Sequence, residues 1–170
     1  MVFRPPYFFH MLTSETQQAI AETINETMPE AFVVDLTLQK GKKSVLNIKV
    51  DTDQGISLEE CTRISRKVGA MLDEREDMDF PFVLEVSSPG VGFPLKLHRQ
   101  YQKEVGRHLQ VLTHEGETIQ GKLTGVNDTN ITLEPLPPRK GKGKGKSKEV
   151  LPPRTFSFEA IKEAKVIIIL

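Results

Sequence analysis

The chain has 170 residues, a formal net charge of zero and a single cysteine. This length accommodates one or two domains, and the single cysteine excludes a disulfide within the chain, which fits a reducing cytoplasm. The zero net charge hides a strong segregation. Residues 11–90 hold 15 acidic and 8 basic side chains, a net charge of −7, whereas residues 139–148 hold six basic side chains and no acid. Because the distribution is so uneven, the two regions are expected to meet different partners.

Residues 1–12 are expected to be a disordered extension. Their apolar patches are too short for a signal peptide, and Pro5-Pro6 interrupts any helix. The apolar run at residues 166–170 is too short to span a bilayer. The sequence therefore indicates a soluble, cytoplasmic protein with an N-terminal domain at 13–90 and a C-terminal domain at 91–170.

The N-terminal region begins with the pattern of a helix followed by a hairpin. Ser14 and Gln17 have the spacing of a capping box, and apolar residues then recur every fourth position until Pro29. Alternating apolar residues at 32–38 and 46–50, separated by Lys40-Gly41-Lys42, predict two antiparallel strands.

A second helix and a third strand complete this region. Ser57 and Glu60 have capping-box spacing. The predicted apolar face of the helix that follows consists of Leu58, Cys61, Ile64, Val68 and Met71 or Leu72. With a strand at 82–86, the order α-β-β-α-β predicts a three-stranded sheet covered on one side by two helices.

The C-terminal region is predicted to be mostly β-structure. A short connecting helix at 97–105 precedes five strands, and tight turns at 114–116 and 127–128 separate the first three. So many short strands in so few residues predict a small closed barrel. The predicted strands are 109–113, 119–126, 131–136, 151–158 and 165–169, with a flexible basic loop at 137–149 between the third and fourth.

The stretch that joins the two regions is the most informative of the chain. The strand at 82–86 stops abruptly at Ser87-Ser88-Pro89-Gly90, and Pro94 follows. Proline fixes φ and lacks an N–H, the residue before it is pushed towards extended geometry, and glycine can adopt positive φ. We therefore predict a stiff interdomain hinge made of Ser87, Ser88, Pro89, Gly90 and Pro94, with the hydroxyl groups of the two serines bonded to local backbone.

The segment Leu-Glu-Val-Ser-Ser-Pro-Gly at 84–90 resembles the junction of the bacterial ribosome maturation factor RimP family. Where that family usually has Asp-Arg, this chain has Gly92-Phe93. The resemblance implies an α+β fold, with an N-terminal α-β-β-α-β domain followed by an Sm-like C-terminal barrel. It extends over residues 15–166 and includes Asp51, Gly55, Cys61, Ser65, Leu72-Asp73, Pro94-Leu95-Lys96, Gly106, Gly121-Lys122-Leu123, Phe158-Glu159, Ile161 and Ala164.

Catalytic chemistry finds little support in the sequence. The histidines at 10, 98, 108 and 114 lack metal-ligand spacing. Cys61 lies on an apolar helix face, where a buried structural thiol is more common than a nucleophile. The segment 51–55 begins like a calcium loop, but the EF-hand ligands expected further along are absent. We predict no enzyme activity, no catalytic residues, no metal and no cofactor.

Two charged segments are the candidate contacts. The acidic cluster, which follows the second predicted helix, suits a basic protein partner, whereas the lysine-rich loop suits sequence-independent phosphate contact. The alternatives are a merely solvated face and a solubilising insertion. The acidic cluster comprises Asp73, Glu74, Glu76, Asp77 and Asp79, and the lysines of the loop are Lys140, Lys142, Lys144, Lys146 and Lys148.

The resemblance implies a function in ribosome biogenesis. A RimP-like protein would bind the free or immature small ribosomal subunit through a ribosomal protein and rRNA and promote its maturation. It would act as a monomer, without a small-molecule substrate and without membrane association. The alternative is an RNA-binding Sm-like regulator that acts as a ring, which requires exposed edge strands able to pair with neighbouring copies.

Overall fold

The computed structural model describes residues 12–137 and 151–169. It is an α+β structure, and the chain divides into two compact units between Pro89 and Gly90. Each unit has its own sheet and its own hydrophobic core. Within the described ranges, no helix combines the length and apolar character that a membrane span requires.

The N-terminal unit has the predicted order α-β-β-α-β. A single turn of 3₁₀ helix, Glu76–Met78, precedes its last strand. The elements are α1 (Ser14–Thr27), β1 (Phe32–Gln39), β2 (Ser44–Asp51), α2 (Leu58–Asp73) and β3 (Phe82–Ser87).

Strand β2 is the centre of the three-stranded sheet. It pairs antiparallel with β1 and parallel with β3. A parallel neighbour needs a crossover connection, and α2 supplies it. Leu46, Ile48 and Val50 alternate along β2 and are fully buried, in one core with Ile20 of α1 and Ile64 of α2. The apolar face of the sheet is therefore the face that the helices cover.

The predicted cap of α2 is confirmed. The Ser57 hydroxyl accepts a hydrogen bond from the Glu60 N–H at 3.2 Å, and the Glu60 carboxylate accepts one from the Ser57 N–H at 2.7 Å. The assignment of Leu58 to the apolar face is wrong, because its side chain is 83% exposed and the buried positions of α2 begin at Cys61. Periodicity alone does not reveal that the first turn extends beyond the core.

The predicted cap of α1 is wrong by one residue. The N-cap is Thr13, and its hydroxyl accepts a hydrogen bond from the Thr16 N–H at 3.1 Å. Gln17 does not complete a capping box but donates its side-chain amide to the Leu12 carbonyl at 2.9 Å. Threonine and serine are both good N-caps, so their adjacency makes the sequence ambiguous here.

The C-terminal unit has one short helix and five strands. A 3₁₀ turn at Phe158–Ala160 separates the last two strands. The elements are α3 (His98–Lys103), β4 (His108–Thr113), β5 (Thr118–Val126), β6 (Asn130–Pro135), β7 (Arg154–Ser157) and β8 (Ile161–Val166).

These strands form one antiparallel sheet in the order β7-β6-β5-β4-β8. In a flat sheet, the two outer strands would lie about 19 Å apart, at about 4.8 Å per step. Here the three residues Phe158–Ala160 join them, and a 3₁₀ turn of that length spans only about 6 Å. The sheet is therefore strongly curled. The closed barrel that the strand count predicts is not formed by the described residues, because β7 and β8 do not pair.

The last strand begins earlier than predicted. The sequence predicts it at 165–169, whereas β8 begins at Ile161 and ends at Val166. Val166 lies opposite Leu109 of β4. Ile168 is 69% exposed and lies beyond the ladder. The isoleucine run at 167–169 has strong β-propensity, but the strand ends where its partner strand ends.

Candidate interaction surfaces

The acidic cluster occupies the end of α2 and the 3₁₀ turn that follows. One member, Asp77, is tied to the start of α1. Its carboxylate accepts hydrogen bonds from the hydroxyls of Thr13, at 3.0 Å, and Thr16, and it pairs with Arg75 at 3.0 Å. Arg75 also donates to the Thr16 hydroxyl at 3.1 Å. Asp77 is exposed, yet these contacts let it hold two chain segments together.

These contacts make acid stability depend on Asp77. The hydrogen bond from Thr16, assisted by Arg75 and Thr13, lowers the pKa of Asp77 from 3.8 to about 2. Since the folded-state pKa is the lower one, the stabilisation is present above about pH 4 and is lost as the pH falls towards 2. We expect Asp77→Asn to lower the free energy of unfolding at neutral pH, and the difference from wild type to vanish in that acid window.

Urea unfolding measured from pH 7 to pH 2 checks this prediction. Glu76→Gln is the matched control, because the Glu76 carboxylate has no partner among the described residues. Equal pH profiles for the two variants would contradict the assigned role of Asp77.

Two other members of the cluster line a cleft. Asp73 and Asp79 line a space of about 510 Å³ whose other lining residues are Gly69, Met78, Phe80, Pro81, Phe82 and Leu84. The rings of Phe80 and Phe82 are tilted against each other with centroids 5.7 Å apart. A cleft lined by carboxylates and apolar side chains suits a lysine or arginine side chain, whose stem is apolar and whose end is cationic.

The Phe80 ring is in contact with a lysine of this chain. The Lys40 ammonium lies 4.7 Å from its centroid, a distance typical of a cation–π contact. Glu74 and Glu76 are exposed and do not line the cleft. The acidic cluster thus has three parts. Asp77 has a structural role, Asp73 and Asp79 are the cleft pair, and Glu74 and Glu76 are the outer pair.

The segment predicted as a hinge differs from expectation in the partner of Ser87 and in the position of the positive φ angle. Ser87 belongs to β3, and its hydroxyl accepts a hydrogen bond from the Lys49 ammonium on β2 at 2.8 Å, so its partner is a side chain and not local backbone. Positive φ falls on Gly92, at 87°, and not on Gly90. The Gly90 carbonyl accepts from the Phe93 N–H at 3.0 Å, which closes a turn with Gly92 in its third position. A turn with positive φ at that position favours glycine. Gly92, which replaces the first residue of the family's usual Asp-Arg, therefore occupies a position where glycine is favoured.

The C-terminal unit contains an aromatic group that the sequence did not predict. Phe158 meets His98 edge-on with centroids 5.5 Å apart and Tyr101 with centroids 5.1 Å apart. The His98 Nε2 lies 2.8 Å from the Asn127 carbonyl, which can only accept, so Nε2 carries the proton. The three rings line one cavity of about 550 Å³. His98 and Tyr101 lie three residues apart on α3, whereas Phe158 is distant from both in sequence, so only the fold brings its ring to theirs.

Cys61 is buried, and its burial, with Glu60 and Asp51 nearby, raises the pKa of its thiol, as suits a structural role. Among residues 12–137 and 151–169, no group of three potential metal-ligating side chains comes together. The predicted RNA contacts Lys140, Lys142, Lys144, Lys146 and Lys148 lie outside the described residues.

The fold and these surfaces define a two-unit α+β protein with an acidic cleft in one unit and an aromatic cavity in the other. Residues 20–92 match the family described as the RimP N-terminal domain. Proteins named ribosome maturation factor RimP align along most of the chain. That of Flavobacterium psychrophilum is 41% identical over 154 residues, which cover 90% of this chain and 92% of the relative.

Two further relatives with that name extend the comparison. The protein of Christiangramia forsetii is 35% identical over 160 residues, covering 91% of this chain and 97% of its own length. The protein of Cytophaga hutchinsonii is 33% identical over 145 residues, covering 82% and 86%. The chain belongs to the RimP family, and the prediction made from residues 84–90 is confirmed.

Proposed function

We propose that this protein is a non-enzymatic cytoplasmic assembly factor that binds the free or immature small ribosomal subunit and promotes its maturation. The observation that carries the proposal is the near full-length similarity to proteins named ribosome maturation factor, 41% identical over 90% of the chain. Segregated charge supports it, because a particle of RNA and basic proteins offers partners for both signs of charge.

We assign the contact with a basic ribosomal protein to the N-terminal unit. The cleft between Asp73 and Asp79 would receive a lysine or arginine side chain, with its stem against Phe82. The exposed pair Glu74 and Glu76 would act at longer range and steer the encounter. Contact in the cleft governs dissociation, whereas steering governs association.

The matched pairs Asp73→Asn/Asp79→Asn and Glu74→Gln/Glu76→Gln separate these roles, because each removes two negative charges from the same segment. We expect the cleft pair to raise the dissociation rate from purified small subunits about tenfold, as befits hydrogen bonds to a charged group. The outer pair should slow association only at low salt and have little effect near physiological salt, where the screening length is about 8 Å. Rapid-mixing kinetics across a salt series measure both rates.

Equal effects of the two pairs on both rates would contradict the separate roles and show that the cluster acts only through its total negative charge. No effect of either pair would make it a solvated face. Thermal unfolding of each variant serves as the control, since exposed charges contribute little to stability.

We assign the rRNA contact to the C-terminal unit and the lysine-rich segment that begins beyond β6, and we take the curled five-stranded sheet to be Sm-like. The short link between β7 and β8 supports that assignment, since it draws the two outer strands together. We propose a monomer. A stable hexamer or heptamer on a sizing column would favour the alternative, an Sm-like ring that binds RNA.

A further inference from the structure

The aromatic cavity of the C-terminal unit has the size of a ligand site. Its volume of about 550 Å³ lies within the range typical of small-molecule sites. The β5–β6 turn and the 3₁₀ turn at Phe158–Ala160 form part of its wall, and the Phe158 N–H donates to the Thr129 carbonyl at 3.0 Å. The Asn127 side chain accepts from the N–H groups of Thr129 and Asn130 at 2.9 and 2.7 Å, which fixes the first turn. One backbone–backbone hydrogen bond and two bonds to the Asn127 side chain therefore fix this part of the cavity wall.

Tyr101 brings a polar group to this cavity that the protein itself does not satisfy. Its side chain is 5% exposed, and its hydroxyl has no hydrogen-bond partner within the described chain. The one fully enclosed side-chain oxygen that lacks a partner there is Asn47 Oδ1. The Tyr101 hydroxyl is therefore not fully enclosed by protein atoms. The space next to the Tyr101 side chain is this cavity, which it lines. Burial raises the pKa of Tyr101 to about 12, so the phenol is a neutral donor at physiological pH.

The charges around the cavity are mixed. Lys96 and Lys162 line it together with Asp128 and Glu163, and the Glu163 carboxylate also pairs with the Lys165 ammonium at 3.6 Å. A simple anion would be repelled by the carboxylates, and a simple cation by the lysines. A ligand that combines an anionic group, an aromatic face and N–H donors satisfies all of them. A nucleotide has this combination, because carboxylates accept hydrogen bonds from the amino groups of bases and aromatic side chains stack on their faces.

We propose that this cavity binds one nucleotide of single-stranded RNA whose base carries an amino group. The base lies against Phe158 with its amino edge at Asp128 or Glu163, the phosphate lies near Lys162, and the Tyr101 hydroxyl bonds to an oxygen of the sugar or phosphate. This inference rests on the rRNA contact of the proposed function and gives it a location. It also distinguishes bases, which the lysine-rich segment does not.

Fluorescence anisotropy with the full chain and labelled tetranucleotides tests the proposal. Oligo-C or oligo-A should bind about fivefold more tightly than oligo-U, which has no amino group. Tyr101→Phe and Lys162→Gln should each weaken binding to oligo-C about tenfold. Lys122→Gln, an exposed lysine outside the cavity lining, is the control and should stay within twofold of wild type.

Tyr101→Phe removes only an oxygen without a partner, so its thermal unfolding should match that of wild type. Wild-type affinity of Tyr101→Phe for every oligonucleotide, or equal losses for Lys162→Gln and Lys122→Gln, would overturn the proposal. Competition with cytidine monophosphate identifies the source of the ligand. Displacement as effective as that by oligo-C would support a nucleotide site but make the free nucleotide its ligand. Because no ribosomal particle is present, failure here is distinguishable from failure of the proposed function.

Discussion

Replacing Gly121 with alanine is expected to destabilise the C-terminal unit by about 2–3 kcal/mol, the cost of forcing an extra group into a packed core. A Cβ at this position would lie 2.7 Å from the Glu134 carbonyl oxygen and 3.2 Å from the Pro135 Cα. Both atoms belong to the backbone of β6, which pairs with β5 at this point. Relief therefore requires the two strands to separate, and no side-chain rotation suffices.

Gly125 is the matched control in the same strand. A Cβ there has its nearest neighbour at 4.0 Å, the Thr132 Cβ, and Gly125 does not have positive φ. Gly125→Ala should therefore leave the free energy of unfolding within about 0.5 kcal/mol of wild type. Chemical unfolding of the full chain measures both variants. Equal losses, or a stable Gly121→Ala variant, would contradict the close approach of the two strands.

Deleting residues 140–148 is expected to weaken binding to RNA-containing particles most strongly at low salt. The deletion removes five lysines, and each phosphate contact contributes roughly 0.7–0.9 to the slope of log K against log salt. If all five contact phosphates, the slope flattens by about 4. Stability should change little, because shortening a loop alters its closure entropy only weakly.

Replacing the same five lysines with glutamine keeps the segment length and removes only its charge. This variant should reproduce the flattened slope, measured as small-subunit affinity from low to physiological salt. A slope unchanged in both variants would assign the segment to solubility alone.

Local signals in the sequence predicted most of the N-terminal unit. Capping-box spacing at Ser57 and Glu60 marks the start of α2, and the alternation in β2 identifies the buried face, because both depend on near neighbours in the chain. The acidic cluster was visible as a run of charge. The structural role of Asp77 was not visible in the sequence, because its partners lie about 60 residues away at the start of α1.

The missed features depend on contacts distant in sequence. Phe158 joins His98 and Tyr101 of α3 only after the sheet curls, so no local spacing pattern reveals the complete aromatic group. The end of β8 is set by the length of β4 and not by the isoleucines at 167–169. At the junction, glycine at 90 suggested positive φ, but the closure of the turn by Phe93 places that conformation at Gly92.

The most direct test of the central claim is sedimentation of the protein through a sucrose gradient with purified ribosomal particles. The account predicts that the protein migrates with free small subunits, more so with immature ones, and is absent from complete ribosomes and large subunits. The variant with Asp73→Asn and Asp79→Asn and no lysines at 140–148 should remain at the top of the gradient. Equal distribution over all particles, or no association with any, would contradict the proposed role as a small-subunit assembly factor.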